Sequence, residues 1–195
     1  GELLRSDAAA TRAEAAWIAG NSGDQDLAAG VQTALEQAAN GWRQADERHL
    51  WEQAGAEAHA WRASLWAARQ LQLAVAPAAR AALADPRHPV AVRREAIRCL
   101  AECGDAKDSN VLLQALEDVD SGVRAAASAA LAQLGGEPVL QHLERTKSVD
   151  GAALRQVLRA VLPKADGRLL ASAEQRQVTL PVYLEQREVA ALVRR

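Results

Sequence analysis

Apolar and polar residues along this chain repeat with a period of 31 residues. An arginine marks each copy, and the residue directly before it is bulky and apolar. The four arginines are Arg62, Arg93, Arg124 and Arg155. Further apolar residues follow three and six positions later in every copy. Self-similarity at a fixed period indicates a repeat array, in which each unit buries its apolar face against its neighbours.

Each copy has the pattern of a helix, a turn and a second helix. In the clearest copy, apolar residues at helical spacing predict a first helix over residues 92–103. Gly104 favours the left-handed conformation that ends a helix, and Asp105 can cap the helix that follows. The second helix is predicted over residues 109–117, and the acidic turn that begins at Asp118 supplies turn and cap chemistry.

The other copies are predicted from the same spacing. Arg12 and Gly23 reproduce the spacing of Arg93 and Gly104, so residues 12–24 follow the same scheme. Residues 25–60 are expected to be helical but do not fit one repeat. The remaining predicted helices cover residues 27–39, 43–60, 61–73, 78–84, 123–134, 138–147, 152–162, 168–174 and 185–194.

Composition favours closely packed helices over a sheet. Hydrophobic residues make up 49% of the chain, but 46 of the 195 residues are alanine, and phenylalanine is absent. Alanine is the best helix former and adds little bulk to a core. The sequence therefore predicts an all-α chain with a thin core.

The formal charge is −2 and is unevenly distributed. Residues 1–60 carry 4 basic and 10 acidic side chains, residues 151–195 carry 8 basic and 4 acidic ones, and residues 61–150 are balanced. This argues against a general nucleic-acid binder, since phosphate contacts need clustered lysine and arginine. The oppositely charged ends could dock head to tail, could bind a partner at one end, or could simply be solvated.

Two stretches resemble HEAT-like repeats of the short bacterial type that also occurs in phycobiliprotein (bilin) lyases. They run Asp85-Pro86 … Val92-Arg93-Arg94-Glu95-Ala96 … Leu100 … Gly104-Asp105 and Asp118-Val119-Asp120 … Val123-Arg124 … Ala127 … Leu131 … Gly135.

The resemblance implies an all-α right-handed α-α superhelix of about five to six helical hairpins. These would form one domain over residues 1–195 that is irregular at 25–60 and 175–195. First helices would lie on the convex side and second helices on the concave side. The resemblance also implies that the recurrent arginines and the turn aspartates Asp85 and Asp118 pair between neighbouring units. A row of arginines that binds an anion is the alternative.

The concave surface is the predicted partner-binding face. Second-helix side chains that do not match the apolar face would point into it. Their mixed charge suits a protein surface better than a phosphate backbone. They are Arg80, Asn110, Gln114, Glu117, Gln141, Glu144 and Arg145.

All five tryptophans lie within the first 66 residues. Trp61 and Trp66 take the places of apolar residues in other copies, so both are predicted to be core residues. Trp42 and Trp51 are nine residues apart, on opposite sides of a continuous helix, so one apolar stripe cannot bury both. An exposed member of this pair is predicted to contact a protein partner or a flat ligand.

No catalytic motif stands out. Cys99 and Cys103 could form a metal or redox pair, but no further cysteine or histidine lies at ligand spacing. Cys99 shares its repeat position with alanines and is predicted to be a small buried residue. We therefore expect no cofactor, no metal and no catalytic residue. No apolar stretch approaches the ~20 residues that span a bilayer, so a cytoplasmic protein is expected, with a removed leader as the open alternative.

The favoured function is a non-enzymatic scaffold or adaptor. It would bind a protein partner, or another copy of itself, through the concave face, and not a nucleic acid, a membrane or a small molecule. The alternative is a bilin lyase or a chromophore-handling chaperone, and it rests on the resemblance alone. A DNA-lesion enzyme built on HEAT-like helices ranks last, because the central repeats carry no basic groove.

Overall fold

A computed structural model describes residues 1–103 and 108–134, and every regular element within those ranges is helical. Short 3₁₀ turns cover Leu3–Arg5, Gln25–Leu27 and Ala115–Glu117. The α-helices are α1 (Ala9–Ser22), α2 (Ala28–Glu47), α3 (Trp51–Gln70), α4 (Ala76–Ala84), α5 (Val90–Cys103), α6 (Ser109–Gln114) and α7 (Ser121–Leu134).

The all-α class is as predicted. Helices α4, α5 and α7 match the predicted segments to within two residues at each end, and the 3₁₀ turn after α6 completes the predicted second helix. The chain divides into two compact units, residues 1–103 and 104–195. A single domain over residues 1–195 stays a prediction.

The repeated apolar positions form the core. Those positions precede each recurrent arginine by one residue or follow it by three, six or seven. Where the structure describes such a position and the residue there is apolar, that residue is at most 4% exposed. They are Trp61, Leu65, Ala68, Val92, Ala96, Cys99, Leu100, Val123, Ala127, Ala130 and Leu131.

Helix α3 is the centre of the first unit. It packs along both α1 and α2 and also contacts α5, which pairs with α4. Ala60, Ala63 and Ala67 of α3 are fully buried in this arrangement. Because alanine side chains are short, neighbouring helices can approach closely on several sides of α3.

The helix boundaries around α2 and α3 differ from the prediction. The sequence suggested a break near residues 40–42 and a new helix at Trp61, but α2 continues through that break and Trp61 lies in the middle of α3. Gly41 lies inside α2 and faces Glu57 of α3, and a Cβ there would lie 2.5 Å from the Glu57 carboxyl carbon. This glycine therefore permits close helix packing and does not end a helix.

Several helices end at a residue whose backbone has the left-handed conformation. Gly23 (φ 65°) ends α1, as the sequence predicted, while His49 (φ 57°) ends α2 and Gln72 (φ 52°) ends α3. The backbone N–H groups that follow the last two, those of Leu50 and Leu73, donate 2.9 Å hydrogen bonds back to carbonyls five residues earlier. This pattern closes a helix end, and glycine is its usual left-handed residue.

In the second unit, aspartates form the turn before α7. The Asp118 carboxylate accepts a 2.8 Å hydrogen bond from the Asp120 N–H, and the Asp120 carboxylate accepts one of 2.9 Å from the Val123 N–H. The second bond caps the first turn of α7. The predicted turn and cap chemistry is confirmed.

Leu100→Ala and Leu131→Ala should each lower the free energy of unfolding by about 2–5 kcal/mol, because a large buried side chain leaves a cavity. Gln114→Ala, at an exposed position, should change it by less than about 0.5 kcal/mol. Urea denaturation followed by circular dichroism checks all three variants. Equal losses of stability in all three variants would contradict the assignment of Leu100 and Leu131 to the core and of Gln114 to the surface.

Gly23→Ala and Gln72→Gly should have opposite effects on thermal unfolding. A Cβ on Gly23 would meet nothing within 4 Å. The left-handed φ of Gly23 is therefore the reason why alanine there should lower the free energy of unfolding by about 1 kcal/mol. Gln72→Gly relieves the same conformational cost and should stabilise the protein by up to about 1 kcal/mol. Effects of the same sign would contradict this account.

Candidate protein-binding surfaces

The recurrent arginine ties the preceding turn to its own helix. Arg12, Arg93 and Arg124 each donate through Nη1 to carbonyl oxygens five to seven residues earlier. Arg12 and Arg124 each make two such bonds, with distances from Nη1 to the carbonyl oxygens of 2.7 and 2.9 Å. A charged donor makes stronger hydrogen bonds to backbone carbonyls than a neutral donor does. Because Arg93 is only 1% exposed, an anion-binding row is not a suitable account of these arginines.

Pairing of these arginines with turn aspartates between neighbouring units stays a prediction. The Asp85 carboxylate does pair with Arg87 in its own turn, at 2.6 Å. The side-chain hydrogen bond from Arg87 holds the pKa of the Asp85 carboxyl well below its usual value. This pair is exposed on the arginine side, so it contributes little to stability.

Arg62 departs from the pattern because no turn precedes it in the middle of α3. Its guanidinium carbon lies 5.6 Å from the ring centre of Trp17 on α1. The Trp17 ring in turn lies 4.2 Å, centre to centre, from that of Trp66. A Cβ on Gly20 would lie 2.4 Å from the Trp66 ring. This half-buried cluster joins α1 to α3 by aromatic and cation–π contacts.

Ion pairs that involve the buried glutamates Glu57 and Glu95 also lie in the first unit. Arg12 Nη2 lies 2.5 Å from Glu57 Oε2, and both side chains are less than 10% exposed. Glu95 of α5 pairs with Arg69 of α3 at 3.2 Å and with Arg98 at 2.8 Å. Breaking such a pair leaves a buried charge without compensation. We therefore assign these charged residues to the framework and not to a binding surface.

Trp42 lies in the core. It is 8% exposed, and its ring centre lies 5.9 Å from that of Trp61. The His88 ring lies 5.0 Å from each of them, close to perpendicular. Trp42 and Trp51 do not share a continuous helix as the sequence suggested, because α2 ends between them. Trp61 is buried as predicted, whereas Trp66 is only half-buried.

Trp51 is the exposed member of the pair, with 67% of its surface accessible. Leu50 beside it is 44% exposed, and the exposed His49 ring lies 5.5 Å from the Trp51 ring. We call residues 49–51 the Trp51 corner. His49 and Leu50 do not stand out in the repeat pattern, although the run His-Leu-Trp after an amphipathic helix was a signal for them.

The predicted concave residues are found in part. Asn110, Gln114 and Glu117 are exposed and follow one another at helical spacing along α6 and the 3₁₀ turn after it. They therefore share one face of this segment. Arg80 on α4 is half-buried. Gln141, Glu144 and Arg145 lie outside the described residues.

Comparison with known families identifies the repeat. Residues 76–163 match the family model for HEAT repeats. This chain therefore contains HEAT-like repeats. No curated protein matches it. Within residues 1–103 and 108–134, none of the helices combines the length and the apolar character that crossing a membrane requires.

The two cysteines of the HEAT-like repeat region differ in burial, since Cys99 is a core residue and Cys103 is half-buried. Cys99 is buried, and its Sγ lies 3.4 Å from the Leu65 carbonyl oxygen, so its predicted role is confirmed. Burial raises the pKa of the Cys99 thiol to about 12, and burial also raises that of the half-buried Cys103. Among the described residues, no group of histidine, cysteine and acidic side chains could hold a metal.

In the folded protein, iodoacetamide should alkylate Cys103 much faster than Cys99 at about pH 8. Cys99 is buried, and its raised pKa leaves almost no thiolate at that pH. Peptide mass spectrometry over time measures both rates. In denaturant the two thiols should react at similar rates, and a fast native reaction at Cys99 would contradict its buried position.

Proposed function

We propose that this HEAT-like repeat protein is a non-enzymatic scaffold that binds another protein, with the Trp51 corner as an anchor. The supporting observation is the exposure of Trp51 beside Leu50. Among the large apolar side chains of the described ranges, few are exposed, and Trp51 is the largest of them. Tryptophan is enriched at binding hot spots because it buries a large area in one contact.

The surroundings of Trp51 fit an anchor. His49 holds the left-handed backbone at the end of α2 and places its ring against Trp51. A side chain that is already oriented loses less freedom when a partner covers it. A pocket on the partner that accepts the indole ring and the Leu50 side chain would remove both from water.

A second surface of the proposed scaffold is the face of Asn110, Gln114 and Glu117. Its amide and carboxylate groups suit the polar rim of a protein interface. The absence of a catalytic motif in the sequence supports a binding role over an enzymatic one. The alternative of a bilin-handling protein stays a prediction from the resemblance.

Trp51→Ala should reduce capture of a specific partner by tenfold or more, on the order of a hot-spot loss. The immobilised 195-residue protein would be incubated with extract of the source organism, and bound proteins would be quantified by mass spectrometry. Thermal unfolding of the variant should be unchanged, since Trp51 is exposed.

Val119→Ala is the matched control, because Val119 is 87% exposed and lies away from the Trp51 corner in the sequence. It should retain the partner. Gln114→Ala tests the second surface separately. Capture of the same proteins in equal amounts by wild type and Trp51→Ala would contradict the anchor, and background alone with wild type would contradict the scaffold.

A further inference from the structure

An apolar groove lies in the first unit beside α1. It has a volume of about 470 Å³ and is formed by the first 3₁₀ turn, one face of α1 and the turn before α2. Leu4 and Ala15 form a buried floor. The residues that line it are Gly1, Glu2, Leu3, Leu4, Ala15, Ile18 and Leu27. We call it the α1 groove.

The rim of the α1 groove exposes large apolar side chains. Leu3 is 61% exposed and Ile18 is 64% exposed, and both line the same depression. Single exposed apolar residues are ordinary on a protein surface, but two that converge on a concave site indicate a place for an apolar ligand group. An amphipathic segment laid in the groove would remove both side chains from water.

The charges around the groove are mainly negative. Glu2 lines it, Glu14 stands one helical turn before Ile18 on α1, and Asp26 directly precedes Leu27; all three are exposed. Arg5 is the basic residue of the adjoining 3₁₀ turn. An apolar occupant that carries positive charge therefore fits this rim, whereas an anionic surface does not.

Such a segment exists in the chain itself. Residues 189–195 read Val-Ala-Ala-Leu-Val-Arg-Arg, and residues 151–195 as a whole carry 8 basic and 4 acidic side chains. Val189, Leu192 and Val193 follow the i, i+3, i+4 spacing with which an amphipathic helix enters a groove. Arg194 and Arg195 come directly after them.

We propose that residues 189–195 of one copy dock into the α1 groove of a second copy. The apolar side chains would cover Leu3 and Ile18, and the two arginines would meet the carboxylates of Glu2 and Glu14. Because groove and segment are different surfaces, the contact is heterologous, and copies would associate head to tail. This inference goes beyond the proposed scaffold role and does not depend on the Trp51 corner.

Sedimentation velocity of the 195-residue protein provides the first measurement. At low salt the average mass should rise with protein concentration. It should fall when the ionic strength is raised from about 0.05 M to about 0.5 M, because exposed charge pairs are screened. A monomer at every concentration and salt would overturn the proposal, and it would leave the partner-capture test unaffected.

Ile18→Glu blocks the groove and Leu192→Glu blocks the segment. Each variant should weaken self-association about tenfold or more, since each places a charge in an apolar contact. Val119→Glu is the matched control, because it puts the same charge on an exposed apolar position outside the groove. Circular dichroism would check that all variants are folded. Equal weakening by the control would contradict a specific groove.

An equimolar mixture of Ile18→Glu and Leu192→Glu gives the sharpest result. The first variant keeps a working segment and the second keeps a working groove, so one intact contact can form between them. Each variant alone should be monomeric, and the mixture should form a dimer that grows no further. A mixture that stays monomeric would overturn the head-to-tail contact.

Discussion

Three of the helices, α1, α5 and α7, depend on a guanidinium group that closes the turn before its own helix. A turn between helices presents main-chain carbonyls that lie outside the helical hydrogen-bond pattern. The arginine one turn inside the helix donates to these carbonyls, as Arg12 and Arg124 do with pairs of bonds of 2.7 and 2.9 Å. The distance between the turn and its helix is then limited by the reach of one arginine side chain in these three repeats.

No turn precedes Arg62, and its guanidinium group therefore makes a different contact. Arg62 lies in the middle of the 20-residue helix α3 and stacks on Trp17. The helices around α3 are instead connected by buried charges, with Glu57 paired to Arg12 and Glu95 paired to Arg69. Buried pairs add less net stability than apolar packing, but a misaligned helix would leave a charge unpaired. We infer that these pairs set the alignment of helices whose alanine surfaces alone would allow sliding.

The thin core also accounts for the exposed apolar surfaces. Alanine-lined contacts bring helices close together and leave few large pockets for aromatic or branched side chains. The ring cluster of Trp42, Trp61 and His88 fills one such space. Trp51, Leu3 and Ile18 have no comparable space and remain accessible to solvent. The Trp51 corner lies where α2 leads into α3, whereas the α1 groove lies between the first 3₁₀ turn, one face of α1 and the turn before α2.

The sequence by itself determined the helical class, the 31-residue period and the inward positions of the central repeats, because periodic apolar spacing is local information. It also determined the roles of Gly23 and Cys99, which follow from their places in the repeat. Only the tertiary structure decided that Gly41 lies within a helix and that Trp42 is buried while Trp51 is not. Those outcomes depend on Glu57 and His88, which approach from distant parts of the chain, and sequence spacing carries no record of such neighbours.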